Sequence, residues 1–426
     1  MRFLLHGRGQ PRHAGAAGGE ASADRGDGRG DLGLREERTQ VGIVGAGPAG
    51  LVLAQLLHLE GIDSVVLEDR SREYVEQRIR AGVLEQGTVD LLHEIGVGER
   101  LGREGLVHDG IEIQFAGERH RIDFASLTGG RRITVYGQQE IVKDLIAARL
   151  ETGRPLHFEA NRLQVDEFES ETPVVRFRHD GEDVELRCDF IAGCDGFRGV
   201  CRDSIPAGVL RTFDREYPFA WLGILAAAPP SNEELIYAYH ERGFALHSMR
   251  SPTLTRLYLQ VRPDEELTEW PDERIWDELE HRLGLEGWTL NTGEILEKGV
   301  TELRSFVVEP MQCGRLILAG DAAHIVPATG AKGLNLAVAD VRLLASAIAA
   351  WYRNGDVSLL ERYSSDALRR VWRAEHFSWF MTSMLHRLEG GDEFDVKLQL
   401  AQLAYVCSSE KAAASLAENY VGLEHV

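Results

Sequence analysis

The sequence predicts an α/β fold in three parts: a Rossmann-like nucleotide-binding domain, a β-rich second domain and a C-terminal helical region. Three observations carry the prediction. A strand, glycine turn, helix and second strand follow one another from Val41. Short alternating runs separated by turn residues dominate 217–261. The C-terminal third has helical apolar spacing and is rich in Trp, Phe and Met.

Taken in order, Val41 to Val44 reads as a short buried strand. Leu51 to Leu59 carries helical spacing that Gly61 ends, and Val65 to Leu67 forms the next strand, finishing at Glu68. This is one βαβ unit. Leu84 to Ile95 has the spacing of a second helix, and 110–136 and 174–191 read as strand-rich. A helix is expected at about 273–284, a buried strand at Leu316 to Ala319 and a long apolar helix over 333–352. The domain boundaries implied are 40–211 for the nucleotide domain, 212–325 for the β-rich domain and 326–426 for the helical region. Residues 1–39, rich in Gly, Arg, Ala and Asp, read as a disordered extension.

The chain has 426 residues and a net charge of -21, which argues against nucleic acid and anionic membranes as partners. A local basic pocket for a small anion remains compatible with it. Five cysteines, without a Cys-x-x-Cys pair, fit neither a zinc site nor a disulfide framework, and a reducing cytoplasm is the simplest setting. No uninterrupted apolar run reaches the roughly 18 residues of a membrane span.

The strongest motif is Gly45-Ala46-Gly47-Pro48-Ala49-Gly50. It follows a strand, opens a helix and has Glu68 at the end of the next strand, the context that makes G-x-G-x-x-G specific. Gly45, Gly47, Ala49 and Gly50 let a pyrophosphate approach the backbone at the positive helix end. Glu68 can accept from an adenosine ribose. A second motif, Gly320-Asp321, ends a buried strand and places a carboxylate where a sugar-like hydroxyl could meet it. Gly330-Ala331-Lys332-Gly333-Leu334-Asn335 then opens the long helix, whose N–H groups suit the anionic end of a reduced flavin. Together the two motifs favour FAD over NAD as the bound cofactor. A third motif, Cys194-Asp195-Gly196, is another acid–glycine turn, read on composition as a β-turn.

The third feature is a hairpin. Strand alternation puts Phe244, Leu246, Ser248 and Arg250 on one face, and Arg256, Tyr258 and Gln260 share a face on the return. With 251–255 as the loop, a simple register pairs Arg250 with Arg256 and Ser248 with Tyr258. Two opposed arginines repel, so an anion is expected nearby.

In this order the motifs resemble those of the FAD-dependent aromatic hydroxylases. Longer blocks are similar to the 4-hydroxybenzoate 3-monooxygenase family: Arg78-Ile79-Arg80-Ala81-Gly82-Val83, Leu235-Ile236-Tyr237-Ala238, Arg304-Ser305-Phe306-Val307-Val308-Glu309-Pro310-Met311 and Glu418-Asn419-Tyr420-Val421-Gly422-Leu423. The resemblance runs from about residue 41 to the end and implies a homodimeric flavoprotein monooxygenase with FAD, using NAD(P)H and O2. The expected conversion is 4-hydroxybenzoate to 3,4-dihydroxybenzoate through a C4a-hydroperoxyflavin. Alternatives are a hydroxylase of another aromatic acid and a non-hydroxylating FAD-binding redox sensor.

The resemblance also implies roles. Arg250 would grip the substrate carboxylate with Ser248 and Tyr258 as donors, and Arg256 would face the flavin. Tyr237, Tyr420 and His108 would relay the phenol proton to solvent. His108 suits the outer position because histidine titrates near neutrality. Glu68, Arg78, Arg80, Gln138, Asp321, Leu334 and Asn335 would contact FAD, and no metal is implied. Two positions depart from the family pattern. A Pro-Pro-Thr-Gly segment reads Pro327-Ala328-Thr329-Gly330, so Ala328 would present its carbonyl to the substrate hydroxyl from a looser loop. Asp69 and Arg70 stand where NADPH-using members have Arg and Gln, which predicts NADH or dual use.

Overall fold

Two large sheets organise the chain. The computed structural model describes residues 34–78, 82–388 and 390–422. In the first sheet the order is Gln312–Cys313, Leu316–Leu318, Phe190–Gly193, Val41–Val44, Ser64–Leu67 and Leu156–His157. All its pairings are parallel except Gln312–Cys313 against Leu316–Leu318. Strands buried on both faces read as continuous apolar runs, and Val41–Val44 and Ser64–Leu67 are buried at every residue. The helix expected from Leu51 starts earlier, at Pro48, with Gly47 as its N-cap. Proline suits the first helical turn, where its missing N–H costs nothing.

The second sheet has eight strands. Their order is His324–Ile325, Glu294–Glu309, Arg211–Ala227, Leu254–Val261, Ala245–Ser251, Leu235–Ala238, Gly110–Phe115 and Glu118–Asp123. One face packs on the helix Asp272–Leu283 through Ile224, Ile236, Leu257, Ile275 and Leu279. The other carries Trp221, Tyr237, Phe244 and Leu246 against Phe377, Met381 and Tyr420 of the C-terminal helices. Those helices are Gly333–Asn354, Ser358–Leu385, Glu393–Ser408 and Glu410–Val421, as the helical spacing predicted. Gly333–Asn354 is long and apolar enough to cross a membrane, yet most of its apolar stretch is buried inside the protein, as in a core helix.

Several expectations need correction. Val83–Glu85 is a strand, not the start of a helix; it pairs antiparallel with Ile133–Val135, and the helix runs Gln86–Glu94. Long-range pairing overrides the local spacing there. Arg35–Arg38 is an ordered strand, although the extension was expected to reach residue 39. It pairs in parallel with Glu182–Arg187, and backbone hydrogen bonds order it with little apolar burial. The rest of the expected extension, 1–33, lies outside the described residues. The β-rich sheet also takes Gly110–Phe115 and Glu118–Asp123 from the segment assigned to the nucleotide domain.

Candidate active site

The glycine turn is shaped for a close backbone approach. Gly45 has φ +106°, and a side-chain carbon there would lie 2.3 Å from the Cys194 carbonyl oxygen. At Gly50 the same carbon would lie 2.0 Å from the Gly45 carbonyl oxygen, so both positions exclude a side chain. Gly47, in contrast, faces open space. Glu68 braces the turn: Oε2 accepts from Ala46 N–H at 2.8 Å and Oε1 from Arg70 N–H at 3.0 Å. Burial raises its pKa above the ordinary carboxyl value, although the Ala46 bond opposes this. Each oxygen keeps a lone pair for a ribose hydroxyl. These features fit a dinucleotide such as FAD. Ala49 lies in the first helical turn, Gln138 opens the helix Gln138–Glu151, and Arg78 is exposed at the end of Arg72–Gln77. Arg80 lies outside the described residues.

At the other end of the expected cofactor, Asp321 is exposed beyond Leu316–Leu318. Gly333, Leu334 and Asn335 occupy the first helical turn, whose N–H groups lack intrahelical partners; Leu336 N–H makes the first return bond, to Lys332 O. Asn335 has a second task. Its Oδ1 accepts from Glu85 N–H and Thr88 Oγ1–H, and its Nδ2 donates to Val83 O and Ala331 O. The side chain thereby ties the strand Val83–Glu85 to the helix start. Ala328 is exposed, and its carbonyl accepts from Ala331 N–H at 3.0 Å, leaving one lone pair. Thr329 Oγ1 bonds Thr382 Oγ1 at 2.9 Å, so the loop is anchored beside the position of the missing proline.

The hairpin differs from the expected register. Ser248 pairs with Arg256 and Leu246 with Tyr258, while a bulge between Met249 and Ser251 takes Arg250 out of the ladder. The turn is shorter than expected: Ser251 pairs with Leu254. Bulges re-aim side chains, and this one turns Arg250 back along its strand. Its Nη1 donates to Ser248 Oγ at 3.1 Å and Met249 O at 2.8 Å, and its Nη2 to Tyr258 OH at 3.4 Å. Nε is buried without a partner. Burial lowers the Arg250 pKa, with the nearby Arg256 charge acting in the same direction and Tyr258 against it. Arg256 is instead paired with Glu297 at 3.2 Å. The two arginines are not opposed; Arg250 alone is left with a buried donor and no carboxylate.

Tyr237, Leu246, Tyr258 and Gly223 form one row across four strands. Alternation therefore puts Tyr237 on the face that carries Ser248 and Tyr258. Tyr237 OH meets Tyr420 OH at 2.5 Å, and both side chains are buried. Burial raises the pKa of each above the ordinary phenol value. His108 is not bonded to them. It is 2% exposed, both ring nitrogens are buried without partners, and it lines a cleft of about 730 Å³ with Asn232, Glu233, Met249 and Pro252. The expectation of near-neutral titration is overturned: burial lowers its pKa to about 4. A neutral imidazole still has one donor and one acceptor nitrogen.

Sequence reasoning missed a buried charge cluster beside Tyr420. Lys332 Nζ donates to Glu85 Oε1 at 2.6 Å and to Tyr420 O at 2.9 Å, and Arg370 reaches Glu85 Oε2 at 3.1 Å. The lysine of Gly330-Ala331-Lys332-Gly333 was the available signal. Asp195 was read as a plain turn residue; its Oδ1 is buried without a partner, and its Cα would lie 2.9 Å from a side-chain carbon on Gly45. Among the described residues no cluster suits a metal ion.

A family model described as an FAD binding domain matches residues 38–378. The chain is 50% identical over 393 residues to p-hydroxybenzoate hydroxylase of Acinetobacter baylyi, covering 92% of this chain and 97% of that protein. It is 29% identical over 337 residues to a 3-(3-hydroxy-phenyl)propionate/3-hydroxycinnamic acid hydroxylase of a Mycobacterium species, covering 76% of this chain and 56% of that one. Among solved structures, p-nitrophenol 4-monooxygenase of Pseudomonas putida matches with a TM-score of 0.79 at 19% identity, over 92% of this chain and all of that one. That likeness shows the fold alone. The family match and the half-identical relative place the chain in the FAD-binding family of flavoprotein aromatic hydroxylases.

Proposed function

We propose that the protein is an FAD-dependent 4-hydroxybenzoate 3-monooxygenase. It converts 4-hydroxybenzoate, O2, NAD(P)H and a proton to 3,4-dihydroxybenzoate, NAD(P)+ and water. The observation that carries this reading is the convergence of Ser248, Tyr258 and an Arg250 without a carboxylate partner on the sheet face of Tyr237, whose hydroxyl meets Tyr420 of the helix Glu410–Val421. FAD, when bound, takes the hydride and activates O2; the protein supplies position, charge and proton traffic.

Arg250 binds the substrate carboxylate, which offsets its buried charge, and Ser248 and Tyr258 complete the contact. This orients the phenol end toward Tyr237. A free phenol titrates at about pH 10, so the site must draw off its proton to make the ring electron-rich. Tyr237 accepts that proton while passing its own to Tyr420, and neither tyrosinate need accumulate. His108, kept neutral near pH 7 by a pKa of about 4, takes a proton on one nitrogen while releasing one from the other toward the cleft. A bridging water must join it to Tyr420, since no direct bond links them. Gln138, Arg78 and Arg80 are proposed FAD contacts, and Arg256 acts from the flavin side while held by Glu297.

NADH or dual nucleotide use is proposed, and the turn after Glu68 supports it. Asp69 pairs with Arg70 at 3.5 Å and Arg72 with Glu76 at 2.6 Å, so both arginines already face carboxylates. Homodimer formation is proposed through Glu393–Ser408, where Phe394, Leu398 and Tyr405 are 68%, 55% and 57% exposed on one helical stripe. A cytoplasmic location accords with five free thiols. The deciding experiment crosses a panel of hydroxybenzoates with NADH and NADPH and measures both nucleotide oxidation and product. Formation of 3,4-dihydroxybenzoate from 4-hydroxybenzoate supports the proposal; stimulation by another acid alone, or by none, refutes it.

A further inference from the structure

We propose that His324 and Asp340 form a positioning couple that fixes the Gly320–Asp321 turn and thereby sets how tightly FAD is held. The inference rests on reading that turn as a flavin contact. Neither residue touches the cofactor in this scheme; both act through the turn.

One oxygen closes the turn from both sides. Asp340 Oδ2 accepts from Gly320 N–H at 2.9 Å and from His324 Nε2–H at 2.6 Å. A carboxylate only accepts, so Nε2 carries the proton. The two donors bracket Asp321 in sequence, one residue before it and three after. Gly320 has φ +62°, and a side-chain carbon there would lie 3.1 Å from Ala337 Cβ and 3.5 Å from Ala49 Cβ. The turn thus sits against both helices whose first turns serve the proposed cofactor. Asp340 lies about two turns along Gly333–Asn354, so Asp321 and the N–H groups of Gly333 to Asn335 belong to one rigid body.

His324 and Asp340 are 1% and 2% exposed. Buried ion pairs add little stability over apolar pairs of similar size, whereas a bifurcated carboxylate fixes geometry. The charged groups facing His324 are Asp340 from its helix, Asp321 from the turn and Glu375 from Ser358–Leu385. Glu375 accepts from Ser305 Oγ–H at 2.8 Å, and its other oxygen is buried without a partner. Burial pushes the His324 pKa down, but the Asp340 carboxylate outweighs this and the net shift is upward. The imidazolium is present at low pH and is lost as pH rises through that raised pKa. The neutral ring keeps its Nε2–H bond to Asp340 and loses only the charge assistance, so FAD retention should weaken modestly on the alkaline side.

The test follows flavin release on dilution of the holoenzyme, by fluorescence, across about pH 6 to 9. The variants are His324→Met, His324→Gln, Asp340→Asn and Asp321→Ala. We expect His324→Met to raise the FAD dissociation constant about tenfold and to flatten its pH dependence. His324→Gln, which keeps an N–H donor, should recover part of the affinity without the pH dependence. Asp340→Asn should weaken FAD, and adding it to His324→Met should cost little more. Affinity within about twofold of the parent in His324→Met and Asp340→Asn, with Asp321→Ala impaired, would refute the couple alone. An unimpaired Asp321→Ala would overturn the turn's role and the couple with it. Equal losses in His324→Met and His324→Gln with an unchanged pH profile would mean lost packing and also refute the proposal.

Discussion

Replacing Arg250 with lysine tests the clamp most directly. The guanidinium holds three bonds to its own hairpin, to Ser248 Oγ, Met249 O and Tyr258 OH, and keeps Nε free. It is pre-aimed before substrate arrives. A lysine ammonium is a point charge on a flexible stem and cannot present a planar fork to a carboxylate. One lost charge-assisted bond costs about 1.5–3 kcal/mol, and about 1.4 kcal/mol is tenfold in affinity. The expected rise in the 4-hydroxybenzoate dissociation constant is therefore about 10- to 150-fold, with FAD content unchanged. Titration of the flavin absorbance by substrate measures it. Arg250→Met adds a second signature. It removes a buried charge that lacks a carboxylate, so substrate-free melting should hold or rise while binding is lost. Affinity for Arg250→Lys within about threefold of the parent would refute the clamp. So would a large fall in the melting temperature of Arg250→Met, because it would show that Arg250 is structural.

Further outcomes can be checked independently. Tyr420→Phe should leave substrate affinity nearly intact but slow formation of the bound phenolate, followed by rapid-mixing absorbance; an unchanged rate argues against the relay. Burial raises the Glu375 carboxyl to about 7. Its stabilising proton is fully held below the ordinary carboxyl pKa and lost as pH rises through about 7, so Glu375→Gln should melt higher than the parent at pH 8 and flatten the melting profile. Asp69→Gln removes a charge worth about 1 kcal/mol near a 2′-phosphate, and kcat/KM for NADPH relative to NADH should rise about fivefold. Leu398→Glu with Tyr405→Glu should shift the protein to monomer in sedimentation, if the exposed stripe is the homodimer interface.

What was legible in the sequence was local. The turn from Gly45 to Gly50 and its acid Glu68 span a short stretch, and strand alternation placed Ser248 and Arg256 on one face correctly. Register was not legible, because the bulge at Arg250 adds a residue that alternation cannot detect. The strand Val83–Glu85 was misread since its apolar spacing also suits a helix; its partners, Ile133–Val135 and Asn335, lie far away in sequence. Lys332 and Glu85 escaped for the same reason. His108 shows the limit for titration: residue type suggests near-neutral behaviour, but only packing reveals burial without partners.

The parallel pairing of Leu235–Ala238 with Gly110–Phe115 bears on how the chain can be divided. Tyr237 belongs to a strand whose neighbour was made more than a hundred residues earlier. Cutting near residue 211 would strip that strand of an entire flank of its ladder. A fragment beginning there would expose a new sheet edge beside the tyrosine, inviting self-association. The segment carrying Gly110–Phe115 would have to be supplied in trans for the fragment to regain its pairing. Swapping this β-rich region between relatives as a cassette would have to include both stretches of chain.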